Sequence, residues 1–126
     1  MPQVVTIGQR RYDVDILRRE AESLPIVKIR LSQINYNINS KIWRDQNGKF
    51  SVGEVIRNRF HERFVGHFDR IKNADLNFPI LIDKKHKILD GYHRYNHARL
   101  FNKDEIPARI ITSEMLEKAE IINQIQ

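Results

Sequence analysis

The sequence predicts a single α+β domain, in which a small mixed sheet is flanked by helices. Short β-branched runs alternate with helix-compatible stretches along the 126 residues, and this alternation is typical of mixed folds. Hydrophobic residues make up 40% of the chain, enough for one compact core without metal or disulfide support. Since no cysteine occurs, disulfide scaffolds, thiolate metal sites and cysteine nucleophiles are excluded.

The N-terminal part, residues 1–24, is predicted to form a hairpin followed by a short helix. Residues 4–7 and 10–14 are typical of two strands that turn at a glycine. Asp13 or Asp15 is placed to cap the helix, which we expect to end before the next proline.

The core is predicted over residues 25–111 and begins with a strand at 26–31. An Asn-rich stretch follows and ends in the turn signal Asn47-Gly48. Ser51 and Glu54 have the spacing of a capping box, which indicates a helix start. In this interpretation Gly66 divides the helical region that starts at Ser51 into two helices. Five apolar side chains then recur at helical steps and predict one buried face: Ile56, Phe60, Phe64, Phe68 and Ile71.

The second half of the core is predicted to contain a strand at 78–83, a polar turn and a strand at 87–89. The glycine after that strand opens a helix-compatible stretch, most clearly helical over 95–101, with Asn102 as its C-cap. Another strand is expected at 106–111. The C-terminal helix, within residues 112–126, is predicted to start at Thr112 or Ser113 and to bury Leu116, Ala119 and Ile122.

The segment Asp90 to Arg94 carries the clearest chemical signal. Gly91 lets the backbone turn tightly after a strand, and the helix that follows begins with free amides, which attract anions such as phosphate. Arg94 can add a bidentate contact, and His93 a donor whose charge varies near neutral pH.

Each of these residues also has a structural interpretation. Arg94 can simply pair with Asp90, Gly91 can be only a hinge, and Tyr92 can be a core ring with its hydroxyl at the rim.

The histidines give a weaker signal than this segment. His93 and His97 are spaced like half of a metal site, but no third ligand is evident, so no metal is predicted. His61 and His67 share no helix face and are assigned no role.

Charge favours phosphate-bearing partners. The 22 Lys and Arg outnumber the 16 Asp and Glu, for a net charge of +6, and Lys84, Lys85 and Lys87 lie just before the signal segment. No apolar run approaches the ~20 residues that span a bilayer, so no membrane partner is predicted. The expected location is the cytoplasm, or the host cytoplasm for a viral protein.

The stretch FPILIDKKHKILDGYHRYNHARLFNKDEIPARII, residues 78–111, resembles the ParB/sulfiredoxin superfamily, whose members are often labelled ParB-like nuclease domains. The family's G-x-x-R signature matches Gly91 to Arg94. The resemblance covers about residues 25–111, and the N-terminal hairpin and helix are similar to an accessory of stand-alone bacteriophage versions. It implies that Gly91, Tyr92, His93 and Arg94 bind the phosphates of a nucleotide, ATP or CTP, in a reaction that can use Mg²⁺.

Two departures from the family pattern narrow the expected activity. Tyr92 stands where sulfiredoxins carry the reactive cysteine, so the reductase chemistry is not expected. The short stretch after Ile111 favours a version without the DNA-binding and dimerisation regions of partition proteins. A kinase, NTPase or nuclease-like reaction would need a carboxylate, for which Asp90, with His93, is the first candidate and Glu54 a weaker one.

Three functions therefore stay open from the sequence. The first is nucleotide binding, with or without phosphotransfer or hydrolysis. The second is a non-catalytic module that binds DNA or RNA through its basic residues. The third is a phage factor that binds a host protein, with Tyr36, Ile42 and Trp43 as its contact surface.

Overall fold

The computed structural model describes residues 3–122 and shows an α+β fold, which confirms the predicted class. Within that range the strands are β1 (Val4–Ile7), β2 (Arg10–Asp13), β3 (Val27–Arg30), β4 (Trp43–Asp45), β5 (Gly48–Phe50), β6 (Ile80–Ile82), β7 (Ile88–Asp90) and β8 (Glu105–Ile110). The helices are α1 (Val14–Ala21), α2 (Val52–Arg57), α3 (Val65–Lys72), α4 (Tyr92–Leu100) and α5 (Ser113–Ala119), and one turn of 3-10 helix follows β3.

The central sheet has the strand order β3-β8-β6-β7. β8 runs parallel to β6, and the two outer pairs are antiparallel. Each residue of β6 is buried, because one face of the sheet packs against α4 and the other against the N-terminal elements and α5. β7 is an edge strand of this sheet, and the start of α4 follows it directly at Gly91.

The N-terminal hairpin pairs β1 with β2 around Gly8, as predicted. Asp13, and not Asp15, caps α1: its Oδ1 accepts hydrogen bonds from the amides of Asp15 at 2.9 Å and Ile16 at 3.2 Å. α1 packs beside α5, and the amide of Ile121 donates to the carbonyl of Arg11 at 2.8 Å. The two ends of the described chain are therefore joined.

The middle segment contains the hairpin β4–β5, which turns at Asn47-Gly48, and the two helices α2 and α3. The capping box is confirmed, since Ser51 Oγ accepts from the Glu54 amide at 3.1 Å and Glu54 Oε2 accepts from the Ser51 amide at 2.9 Å. The predicted apolar stripe is only partly buried. Phe64 and Ile71 lie in the core, but Phe60 is 84% exposed.

Phe60 is not buried as predicted because the helical path of the chain breaks between α2 and α3. The chain leaves the helix after Arg57 and resumes it at Val65, so the helical phase is lost before Phe60. The Arg59 guanidinium instead lies 4.9 Å from the centre of the Phe60 ring. Gly66 lies inside α3 and does not divide the two helices.

Element boundaries in the second half differ from the prediction by a few residues. β6 starts at Ile80, and Phe78 lies outside it, 63% exposed. α4 extends from Tyr92 to Leu100, and its C-cap is Phe101, one residue before the prediction. Asn102 nevertheless has the predicted helix-ending role: its φ is +54°, its amide donates to the carbonyl of Arg99 at 3.1 Å, and the amide of Lys103 donates to that of Ala98 at 2.9 Å. Thr112 caps α5, and it is one of the two residues, Thr112 and Ser113, that were predicted to start this helix. Ala119 is buried, but the prediction of a buried Ile122 is wrong, because α5 ends before it.

Candidate functional site

A cleft of about 760 Å³ lies beside the junction of β7 and α4. Four arginines from four different elements line it: Arg18 of α1, Arg70 of α3, Arg94 of α4 and Arg109 of β8. Three carboxylates, those of Glu22, Asp75 and Asp90, are also at its wall. The cleft therefore collects cationic side chains that are far apart in the sequence.

Gly91 forms the bend from which α4 starts. Its φ is +105°, and a Cβ at this position would lie 2.5 Å from Cγ2 of the buried Ile80. Only glycine fits, for reasons of both conformation and space. No side chain within residues 3–122 caps the helix that follows, and its first-turn residues His93 and Arg94 line the cleft.

Asp90 is a nearly buried carboxylate that holds two of the arginines. Arg18 donates through Nε at 2.9 Å and Nη2 at 3.0 Å, and Arg94 donates through Nη2 at 3.2 Å. Burial alone would raise the pKa of Asp90, but the hydrogen bonds and charges of Arg18 and Arg94 outweigh it and lower that pKa. Because a low pKa weakens a base, this geometry gives Asp90 the role of positioning the guanidiniums.

Arg94 is fixed on both sides. Its Nη2 bonds to Asp90, the pairing considered from the sequence, and its Nη1 donates to the carbonyl of Pro79 at 2.7 Å. The guanidinium still lies at the cleft wall. Its direction is thus set before any ligand arrives.

Tyr92 points away from the cleft. Its hydroxyl donates to the carbonyl of Ile88 at 3.0 Å, and its ring packs in the core near Tyr36. Burial raises the pKa of Tyr92 to about 12. Of the Gly91 to Arg94 signature, only the last two side chains therefore line the cleft.

His93 lies against Trp43 and His67. Its ring centre is 4.8 Å from that of Trp43 and 5.9 Å from that of His67, with the rings nearly parallel. Burial lowers the pKa of His93 to about 4, with smaller contributions from His67 and Arg70. The expectation that its charge varies near neutral pH is corrected: His93 is neutral there, and its Nε2 is buried without a partner in the described part of the chain.

Several residues of this site were not identified from the sequence. Arg18, Arg70 and Arg109 belong to no local motif, because only the tertiary fold brings them together. The sequence assigns no role to His67, because it shares no helix face with His61. In the structure its ring stacks on Trp43, with 4.7 Å between the ring centres, and lies beside His93. Local sequence patterns do not signal contacts between separate elements.

Other residues singled out from the sequence lie elsewhere. Lys84, Lys85 and Lys87 are exposed at the β6–β7 hairpin, outside the cleft. Nδ1 of His97 lies 2.9 Å from the carbonyl of Ile71, so this ring faces α3. Glu54 is used by the capping box and by Lys41. Among residues 3–122, no group of three or more His, Asp or Glu side chains is arranged to hold a metal ion.

The residues suggested as a protein contact surface are only half exposed. Tyr36, Ile42 and Trp43 each pack against a buried cluster. Part of each side chain is therefore used in the fold, and binding of a host protein through these residues stays a prediction.

Comparisons with known protein families, with curated proteins and with solved structures find no match. The geometry of the cleft is therefore the basis for inferring a function. The described helices, all within residues 3–122, are too short and too polar to cross a membrane.

Proposed function

We propose that this chain binds a nucleotide, ATP or CTP, with its phosphates in the arginine-lined cleft beside Gly91. The observation that supports this most is the meeting of four arginines from four elements at one cleft. The proposal agrees with the resemblance to the ParB/sulfiredoxin superfamily, in which the same segment binds phosphate.

The four arginines are not equivalent. Asp90 neutralises part of the charge of Arg18 and Arg94, and Arg109 donates to the carbonyl of Ala21 at 3.0 Å. Arg70 is exposed and forms no ion pair within residues 3–122. Arg70 is therefore the arginine most available to a phosphate, while the N-terminus of α4 adds partial positive charge.

A reaction needs a group that takes a proton or holds Mg²⁺, and the site offers limited choices. Asp90 is occupied by two guanidiniums, and a His93 with a pKa of about 4 is a weak base. Glu22 remains as a carboxylate at the cleft that can coordinate Mg²⁺. We therefore place nucleotide binding first and phosphotransfer or hydrolysis second.

Isothermal titration calorimetry with ATP, ADP and CTP, with and without Mg²⁺, tests the proposal. We expect Arg70→Gln to weaken binding about tenfold, the scale of one lost charge-assisted contact. Arg11→Gln is the matched control, because Arg11 is exposed on β2 outside the cleft. Absence of binding by the unaltered protein for all three nucleotides contradicts the proposal, as does equal binding by both variants.

Binding of DNA or RNA is the second candidate, because the exposed lysines of the β6–β7 hairpin form a separate basic site. In this case Lys84→Gln combined with Lys85→Gln weakens binding of a labelled oligonucleotide, and Arg70→Gln does not. Affinity measured by fluorescence anisotropy would also fall steeply with salt. A flat salt dependence contradicts this second candidate.

A further inference from the structure

We propose that the segment 74–79 recognises the nucleoside part of the ligand, with Phe78 stacking on the base and Asp75 accepting hydrogen bonds from the ribose hydroxyls or the base amino group. The inference rests on the proposed function and adds to it. It states that the cleft selects a nucleotide over a bare polyphosphate.

Phe78 is the first observation that supports this assignment. It is 63% exposed at the cleft wall, although a large aromatic ring normally gains stability from burial. It is held just before Pro79, whose carbonyl accepts from Arg94. An exposed aromatic ring thus lies one residue from the backbone group that orients a candidate phosphate-binding guanidinium.

Asp75 is the second observation. Its Oδ1 accepts from the Asn77 amide at 2.9 Å, and its carbonyl accepts from the Phe78 amide at 3.3 Å, so the two bonds close a turn. Both Asp75 and Phe78 line the cleft. A carboxylate repels phosphate but accepts hydrogen bonds from ribose hydroxyls or from a base amino group.

The cleft therefore offers two kinds of contact. The guanidiniums suit an anion, and the turn offers an aromatic face and an acceptor, with Ala74 and Leu81 also at the wall. Its volume of about 760 Å³ lies in the range of pockets that enclose whole small-molecule ligands. A nucleotide carries the matching kinds of groups: phosphates, sugar and aromatic base.

The decisive experiment compares ATP and CTP with inorganic tripolyphosphate, which carries the phosphate chain without base or sugar. We expect Phe78→Ala to weaken nucleotide binding in calorimetry about tenfold, the scale of one base stacked on an aromatic ring, and to leave tripolyphosphate binding unchanged. Phe101→Ala is the control, since Phe101 is also exposed but lies outside the cleft.

Asp75→Asn gives an independent readout, because asparagine can keep the turn and removes the charge. Asparagine also replaces one of the two acceptor oxygens by a donor NH2 group. We expect the variant to bind tripolyphosphate more tightly, since a repelling charge is gone, and to lower the ratio of nucleotide affinity to tripolyphosphate affinity, since an acceptor for the nucleoside is lost. Circular dichroism spectra equal to those of the unaltered protein show that both variants fold.

The outcomes separate the two proposals. The inference is wrong if tripolyphosphate and nucleotides bind with equal affinity, or if Phe78→Ala changes the affinity for neither ligand. The cleft is then a simple anion site. If neither tripolyphosphate nor any nucleotide binds, the proposed function itself is wrong.

Discussion

Gly91 has no room for a side chain, because a Cβ would meet Ile80 on a buried strand at 2.5 Å. We expect Gly91→Ala to lower the free energy of unfolding by roughly 2–4 kcal/mol, combining overpacking with a left-handed backbone. Urea unfolding followed by the fluorescence of Trp43 measures this change.

Gly66 provides the matched control for this prediction. A Cβ there meets nothing within 4 Å, and the residue lies inside α3, where alanine is favoured by about 0.5–1 kcal/mol. Gly66→Ala should therefore be neutral or stabilising. If Gly91→Ala and Gly66→Ala change the free energy of unfolding equally, the contact with Ile80 does not destabilise the alanine variant and the prediction is wrong.

His93 predicts a specific dependence of stability on pH. An unfolded histidine takes up a proton below about pH 6.5, whereas His93 remains neutral in the fold down to a pKa of about 4. Since the unfolded state binds more protons in this window, stability falls as the pH decreases from 6.5 to 4. The lowered pKa of His67 acts in the same direction, and that of Asp90 acts only at lower pH.

The pH prediction is checked by urea unfolding at a series of pH values between 7.5 and 4. His93→Gln should flatten the dependence, and His61→Gln, an exposed position, should leave it unchanged. A slope that is the same in the unaltered protein and in His93→Gln would contradict the assignment.

Single residues of the site were predictable where the signal was local. Gly91 was identified because a glycine between a strand and a helix has a direct backbone meaning, and the structure places it at a left-handed φ. The direction of Tyr92 and the neutral state of His93 depend on packing against distant residues, which no local pattern records. Arg70 and Arg109 gave no local signal at all.

At the scale of elements, the contact between Arg18 and Asp90 joins α1 to the end of β7. The carboxylate is nearly buried and receives two hydrogen bonds from the guanidinium. We expect a double-mutant cycle of Arg18→Gln and Asp90→Asn to give a coupling energy of about 1–3 kcal/mol in unfolding experiments.

The pair of Lys118 and Glu20 is the control for this cycle. It also joins α1 to another element, α5, but its atoms are 3.8 Å apart and more exposed to solvent. Exposed pairs of this kind contribute about 0–1 kcal/mol. A coupling energy for Arg18 and Asp90 no larger than this control would show that the contact does not hold α1.

Elements were predicted well where capping residues mark their starts. Asp13, the Ser51–Glu54 box and Thr112 each act within a few residues, so their sequence spacing is sufficient to identify them. Phe60 shows where such reasoning fails. Its spacing continues a helical stripe, yet the backbone between Arg57 and Val65 follows a different path.

For the whole molecule, a ligand bound in the cleft should stabilise the entire fold against unfolding. Its walls belong to α1, α3, α4 and the sheet, so a bound nucleotide contacts elements that separate on unfolding. A nucleotide at 100 times its dissociation constant should raise the free energy of unfolding by about 2.7 kcal/mol. Thermal melting with and without ATP or CTP measures the shift.

The melting experiment has its own control. At the same nucleotide concentration, Arg70→Gln should show a smaller shift, because its affinity is lower. A nucleotide that leaves the melting temperature of the unaltered protein unchanged at high concentration would argue against binding to the folded state.

The strand order of the sheet was beyond prediction from the sequence. β8 lies between β3 and β6, although it follows them by many residues, and it is parallel to one and antiparallel to the other. Such pairing depends on long-range burial that composition and periodicity do not encode. The alternation of element types was sufficient for the class of fold only.

The joined ends of the described chain have a consequence for its biosynthesis. The backbone hydrogen bond from Ile121 to Arg11 and the packing of α1 on α5 join segments that are about 100 residues apart in the sequence. A ribosome adds roughly 5–20 residues per second, so the N-terminal hairpin waits roughly 5–20 s for its partner. The helix α1, which carries Arg18, therefore gains its packing against α5 only after translation has passed α5, and a nascent chain stalled before that point would lack this support for one wall of the cleft.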